Sequence, residues 1–160
     1  MVIDSGFSHT YVVPCFEGNP MRHCATRIDV GGKLLSNLLM ETLSFKEINL
    51  KNEVAIVNQI KESCTFVSDR FAQDLEVCKA GGMIKEFVLP DYKTIKRGYV
   101  RDPLPEGGQQ EQVVKIRNER FTVPEVLFNP GDIGINQAGV PEAIMQTIAK
   151  CPTQMTAQLL

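Results

Sequence analysis

The chain has 160 residues, 43% of them hydrophobic and 22% charged, with a formal net charge of -2. This content suffices for one domain or two small lobes and excludes a disordered chain, while the charge balance excludes a surface built as a whole for nucleic acid, which needs accumulated Lys and Arg. No run of about 18 apolar residues and no basic-then-apolar leader occurs, so neither a membrane span nor a signal segment is expected.

From the N-terminus, residues 2–16 read as a β-hairpin whose bend is Asp4-Ser5-Gly6. Such a bend sets a carboxylate beside backbone N–H groups. The N–H groups suit a phosphate, Gly6 permits the turn angles and a close approach, and Asp4 suits the water shell of a bound Mg²⁺. Taken alone, Asp-Ser-Gly is also an ordinary turn facing water. Residues 27–30 read as a short strand ending at Gly31-Gly32. Leu34, Leu35, Leu38, Leu39 and Leu43 then fall on one stripe of a 3.6-residue repeat and predict a helix with one face on a core. Ser44 and Glu47 have the spacing of a capping box and predict a further short turn of helix.

Residues 51–66 place Val54, Val57, Ile60 and Cys64 at helical intervals, with Lys61 and Glu62 at the edge of the stripe. By itself this pair is an exposed helix pair of small energetic weight. A third helix is predicted to start near Ser68 or Asp69, with Phe71, Leu75 and Cys78 on one face and Gly81-Gly82 as its stop. The period then changes. Residues 86–90 and 113–116 read as two paired strands, followed by Arg120-Phe121-Thr122-Val123-Pro124 and a last helix with Pro141 in its first turn and Ile144 and Ile148 inward. Between the strands, residues 91–112 hold Pro103, Pro105, Gly107 and Gly108 with Lys93, Lys96, Arg97 and Arg101, a loop long enough to be either a solvated segment or a docking surface. Local nucleic-acid contact through those four cations has little aromatic support beyond Tyr92 and Tyr99. The five cysteines Cys15, Cys24, Cys64, Cys78 and Cys151 are expected as reduced thiols, and Cys15, His23 and Cys24 lack the spaced pairs of a zinc motif.

With these elements in order, the chain resembles the actin family over essentially its whole length. The residues that carry the match are Val2-Ile3-Asp4-Ser5-Gly6 through Pro14, Arg27-Ile28-Asp29-Val30-Gly31-Gly32 with the leucine helix, Ile60-Lys61-Glu62, and Asn118-Glu119-Arg120-Phe121 with Pro124-Glu125 and Leu127-Phe128. Phe87-Val88-Leu89-Pro90-Asp91-Tyr92, Phe128-Asn129-Pro130 and Pro141-Glu142-Ala143-Ile144 resemble the actin-related protein 6 subfamily more than conventional actin. The resemblance implies an α/β chain, the second half of an actin-like, RNase H-like ATPase fold. Residues 1–32 and 136–160 would form part of subdomain 3, and residues 33–135 a helical subdomain 4 inserted after the phosphate hairpin and its following strand, with the long loop at 91–112. It implies ATP and Mg²⁺ as cofactors of the full-length parent. Asp4, through the Mg²⁺ water shell, Ser5 and Gly6 would face the phosphates, Gly32 would let the backbone approach the nucleoside, and Lys61 and Glu62 would reach ribose and base.

The same resemblance implies a nuclear protein, with a cytoplasmic share also allowed, that joins a histone-variant-exchanging chromatin remodelling complex as a nucleotide-stabilised scaffold. Its partners would be the other subunits, with nucleosomes or histones reached indirectly, and neither filaments nor membranes are expected. Phe7 stands where conventional actin has a carboxylate, Tyr11 where it has a histidine and Asn58 where it has an arginine. The family's first half, the residue that positions the attacking water and the glycine-rich adenosine loop lie outside these residues. Hydrolysis is therefore not expected from this chain alone, and a nucleotide-independent interaction module is the alternative reading.

Overall fold

The computed structural model describes residues 1–46, 48–104, 111–155 and 159. In chain order it contains β1 (Val2–Ser5), β2 (Thr10–Val13), β3 (Cys15–Phe16), β4 (Asn19–Pro20), β5 (Thr26–Ile28), α1 (Gly32–Lys46), α2 (Val54–Cys64), α3 (Phe71–Lys79), β6 (Lys85–Val88), β7 (Tyr99–Arg101), β8 (Val113–Ile116), α4 (Glu119–Glu125) and α5 (Val140–Lys150). No helix among the described residues is long and apolar enough to cross a membrane. The chain divides into two compact units, Met1–Leu35 with Glu125–Leu160, and Ser36–Pro124.

The first unit is built on an antiparallel sheet in the order β1-β2-β5. Asp4 pairs with Tyr11 and Tyr11 with Arg27, so these three side chains lie on one face of the sheet. On the alternate positions of β2, Thr10 and Val12 are buried. α5 packs on this sheet through Ala143, Thr147 and Ile148, and the Thr147 hydroxyl bonds that of Thr26 at 2.8 Å. Ile148 points inward as its spacing predicts; Ile144 is only half-buried, because the smaller Ala143 takes the innermost place. The start of α5 is fixed by contact with the preceding loop: Val140 N–H donates to Leu127 O at 3.0 Å, and a Cβ on Gly139 would lie 1.7 Å from Phe128 O. Residues 125–135, expected with the inserted lobe, therefore pack with the terminal unit. The other seam falls within α1, after Leu35, and not at residue 32.

The second unit centres on β6, flanked by β7 and β8. Phe87, Val88, Val114 and Ile116 from this sheet are fully buried, as are Leu39 and Leu43 of α1, Ile60 of α2 and Phe121 of α4. The leucine stripe narrows to Leu35, Leu39 and Leu43, with Leu34 and Leu38 at its half-buried margin. Ser44 does not open a new helix. It lies in the last turn of α1, where its hydroxyl accepts the Leu50 N–H at 3.0 Å, and Glu47 lies outside the described residues.

The segment 91–112, expected as one loop, contains the strand β7; residues 105–110 are outside the described set. Two constraints create the strand. A Cβ on Gly98 would come within 2.4 Å of the Phe87 ring, so only glycine allows this approach. Arg101 then bridges Glu86 of β6 at 3.1 Å and Glu111 at 2.6 Å. Glu86 is completely buried and needs that cation, since an unpaired buried carboxylate is strongly unfavourable. α3 starts at Phe71, close to the expected Ser68 or Asp69, and none of its residues is buried. Phe71 holds it edge-on to Phe121 at 5.5 Å.

Residues 119–125 form a helix that joins the elements of this unit. The Arg120 guanidinium donates to Cys64 O at 3.0 Å and Met83 O at 2.7 Å, and lies 5.1 Å from the centre of the Phe66 ring. Glu119 is 3% exposed and accepts hydrogen bonds from Lys46 Nζ and from the Arg117 N–H. Burial pushes its carboxyl up, but the Lys46 and backbone donors outweigh that and hold it below its ordinary value. Such a group contributes stability above its unfolded pKa, and the contribution disappears as pH falls through the lower folded value. Denaturant midpoints measured from neutral pH down to acid should fall less steeply for Glu119→Gln than for the native chain. Lys46→Met should cost about 1.5–3 kcal/mol at neutral pH, the range for hydrogen bonds to charged groups.

Candidate functional site

The bend between β1 and β2 is closed by its own backbone, with Gly6 N–H donating to His9 O at 3.0 Å. The Gly6 N–H is thus not one of the bare donors expected there. The N–H groups of Phe7, Ser8 and His9 have no hydrogen-bond partner among the described residues. The carbonyls of the turn are engaged: Gly32 N–H donates to Gly6 O at 3.0 Å, and Lys33 N–H to Phe7 O at 2.7 Å. These are the first two N–H groups of α1, which no helical carbonyl can satisfy. The turn caps the helix, and the donors left for an anion belong to the turn and not to these first two positions of the helix.

Gly31 makes this contact possible. A Cβ there would lie 2.6 Å from the Ser8 carbonyl carbon, 2.7 Å from His9 N and 2.8 Å from Phe7 O. Gly32, which the resemblance places against the nucleoside, follows this residue and donates its N–H to Gly6 O. Beneath the turn, Thr10 Oγ1 donates to Val30 O at 2.8 Å, so in the Ser5–Thr10 hydroxyl pair at 3.2 Å it is Ser5 that donates. The Ser5 proton is used inside the hairpin. Asp4 is exposed on β1, and its carboxylate has no hydrogen-bond partner among the described residues. An exposed carboxylate beside three unpartnered N–H groups fits a hydrated divalent cation and a phosphate.

A second cluster at the end of β5 was not anticipated. Asp29 accepts from Arg27 Nε at 2.8 Å and Nη2 at 2.6 Å and from Gln137 Nε2 at 2.8 Å, while its own N–H donates to Gln137 Oε1 at 2.8 Å. Hydrogen bonds from Arg27 and then Gln137 hold its carboxyl below the usual range. His9 Nε2 lies 3.6 Å from the Asp29 oxygen that accepts from Arg27, which links the β1–β2 turn to this cluster. Gln137 is far from Asp29 in sequence, so no local spacing could reveal the pairing.

Lys61 and Glu62 belong to the second unit, on the last turns of α2. Lys61 Nζ donates to Ser36 Oγ at 2.9 Å, and Ser36 Oγ donates to Asn58 Oδ1 at 2.6 Å. Lys61 is therefore held by the buried Ser36, while Glu62 is exposed. Asn58 and Lys61 are one turn apart, a helical spacing that signals a shared face once Ser36 is known to lie opposite. Cys24 donates its thiol to Lys150 O at 3.3 Å, and no group of three His, Cys, Asp or Glu that could hold a metal occurs among the described residues.

A strand–turn–strand whose carbonyls cap the next helix, with a larger segment inserted before the terminal helix, is matched by one family model, that of actin, over residues 1–55 and 45–160. The chain belongs to the actin family, and its mixed α/β architecture is that of a partial actin-like fold. It is 45% identical to actin-related protein 6 of Drosophila melanogaster over 166 residues, covering 100% of this chain and 42% of that relative. It is 39% identical to actin-related protein 6 of Neurospora crassa over 181 residues, covering 100% of this chain and 41% of the relative. The chain thus spans about two fifths of the length of the curated relatives it matches.

Gly31→Ala should destabilise the first unit by about 1–3 kcal/mol, as overpacking against backbone does. Gly131→Ala, where a Cβ would meet nothing within 4 Å, should be close to neutral in the same denaturation assay.

Proposed function

We propose that this chain carries one wall of an actin-type ATP site, and that its parent is a nucleotide-stabilised scaffold subunit of a histone-variant-exchanging chromatin remodelling complex. The observation that carries the first part is the capped turn: exposed Asp4 next to the unpartnered N–H groups of Phe7, Ser8 and His9. Asp4 would orient the water shell of Mg²⁺, which when bound offsets phosphate charge, and the three N–H groups would hold phosphate oxygens. Gly6 and Gly31 hold the turn in shape, and Ser5 fixes it through Thr10. Lys61 and Glu62 would serve the ribose and base.

The second part is supported by identity to actin-related protein 6 along the whole chain. On this reading the protein works in the nucleus, contacts other subunits of the complex, reaches histones through them and forms no filaments. Hydrolysis by these residues alone is not expected. Phosphoryl transfer needs positioning and charge stabilisation on both sides of the transferred group. The turn offers an exposed Phe7, with no charge, at the position where conventional actin has a carboxylate.

If contacts worth even ~4 kcal/mol come from outside the chain, affinity falls about a thousandfold, into the near-millimolar range for an otherwise tight site. Titration calorimetry with Mg·ATP should give weak binding that Asp4→Ala reduces further, with phosphate release no greater than a protein-free blank. Release above the blank that Asp4→Ala abolishes would overturn the non-catalytic reading.

A further inference from the structure

The turn preceding β7 is pre-organised without using its cations. Asp91 Oδ1 accepts the N–H groups of Lys93, Thr94 and Ile95 at 2.9, 2.9 and 2.7 Å, and its other oxygen accepts the Thr94 hydroxyl. The Thr94 hydroxyl, followed by these backbone donors, lowers the Asp91 carboxyl to about 2. Asp91 and Tyr92 both donate their N–H groups to Ile95 O at 3.1 Å, and Tyr92 is held at φ 58°. A positive φ is unusual for an aromatic residue, and the Tyr92 ring is 69% exposed. Lys93, Lys96 and Arg97 are exposed and have no ion-pair partner among the described residues.

Beside this turn lies a cleft of about 580 Å³. Leu89, Pro90 and Ile95 line its apolar part, and Thr94, Glu111 and Gln112 its polar part. The Glu111 carboxylate is bound to Arg101 at 2.6 Å, and Asp91 faces its own turn. The two acids at the wall therefore face internal donors, whereas the three cations have no ion-pair partner among the described residues.

We propose that residues 91–97 and this cleft form a docking site for a short acidic segment of a partner protein that carries an apolar anchor residue. The cations meet its carboxylates, Tyr92 covers its backbone, and the anchor enters between Leu89, Pro90 and Ile95. A nucleic acid fits less well. Arg101, the fourth basic residue of the segment, is only 15% exposed and already bridges Glu86 and Glu111. Three cations fall short of the roughly 6–10 phosphate contacts of a typical duplex binder, and a phosphate backbone has nothing to place in an apolar cleft.

The test is fluorescence anisotropy at low salt on the full chain. The probes are a short dye-labelled peptide alternating Glu with Leu, the same peptide with Leu replaced by Ser, and a labelled DNA duplex. The Glu-Leu peptide should bind saturably, and K93E/K96E/R97E should weaken it at least about tenfold, since opposed like charges cost several kcal/mol. All three positions are exposed, and an unchanged circular dichroism spectrum would confirm that the variant is folded. The Ser peptide should bind several-fold more weakly, and Asp4→Ala should leave binding intact, which separates this site from the nucleotide turn. Absent binding of the Glu-Leu peptide, equal binding of the Ser peptide, tighter binding of the duplex, or indifference to the charge reversal would each overturn the proposal.

Discussion

Capping of α1 by the β1–β2 turn is the constraint on which the rest depends. Two carbonyls of the turn satisfy two helix N–H groups that would otherwise need water, and Gly31 lets the backbones approach closely enough for this. Because α1 begins in the first unit and continues into the second, the turn fixes the first residues of the helix that leads into the insertion. The same contact engages the Gly6 and Phe7 carbonyls, while the N–H groups of Phe7, Ser8 and His9 have no partner among the described residues.

The second unit depends on buried carboxylates that are each met by an opposite charge. Glu86 is matched by Arg101 with Lys115 at 4.0 Å, and Glu119 by Lys46 and a backbone donor. Arg120 uses its guanidinium on two carbonyls from different segments and on an aromatic face. Leaving any of these charges unpaired inside the unit would be unfavourable, so the pairs specify which strands and helices meet. Conversely, Lys93, Lys96 and Arg97 have no such role, which makes their placement on an ordered turn informative about binding rather than folding.

Much of the architecture was legible from periodicity. The leucine stripe, the α2 intervals and the pairing of residues 86–90 with 113–116 depend on short-range repeats that a core imposes directly. The hairpin around Asp4-Ser5-Gly6 was legible too, whereas the approach of Gly31 to its turn was not, because it depends on contact between segments separated in the chain. What spacing could not disclose was β7, since a strand of three residues shows its pattern only against Phe87 and Glu86. Nor could it disclose the helix at 119–125, where Arg120 and Glu119 are governed by Cys64, Met83 and Lys46, all remote in the chain.

By itself, then, the sequence determined membership of the actin family, the order of the longer helices and of most strands, and the chemical types gathered at the β1–β2 bend, because these reside in local pattern and in motif order. Tertiary structure alone decided which N–H groups of the bend remain open, that Ser5 donates inward, that Asp29 is held by Gln137, and that Arg101 is withdrawn from the basic segment. Each of those outcomes depends on a partner distant in the chain or on a backbone approach of a few ångströms. Hydrogen bonds and ion pairs are directional and short-ranged, so residue identity supplies the candidates and only the folded geometry selects among them.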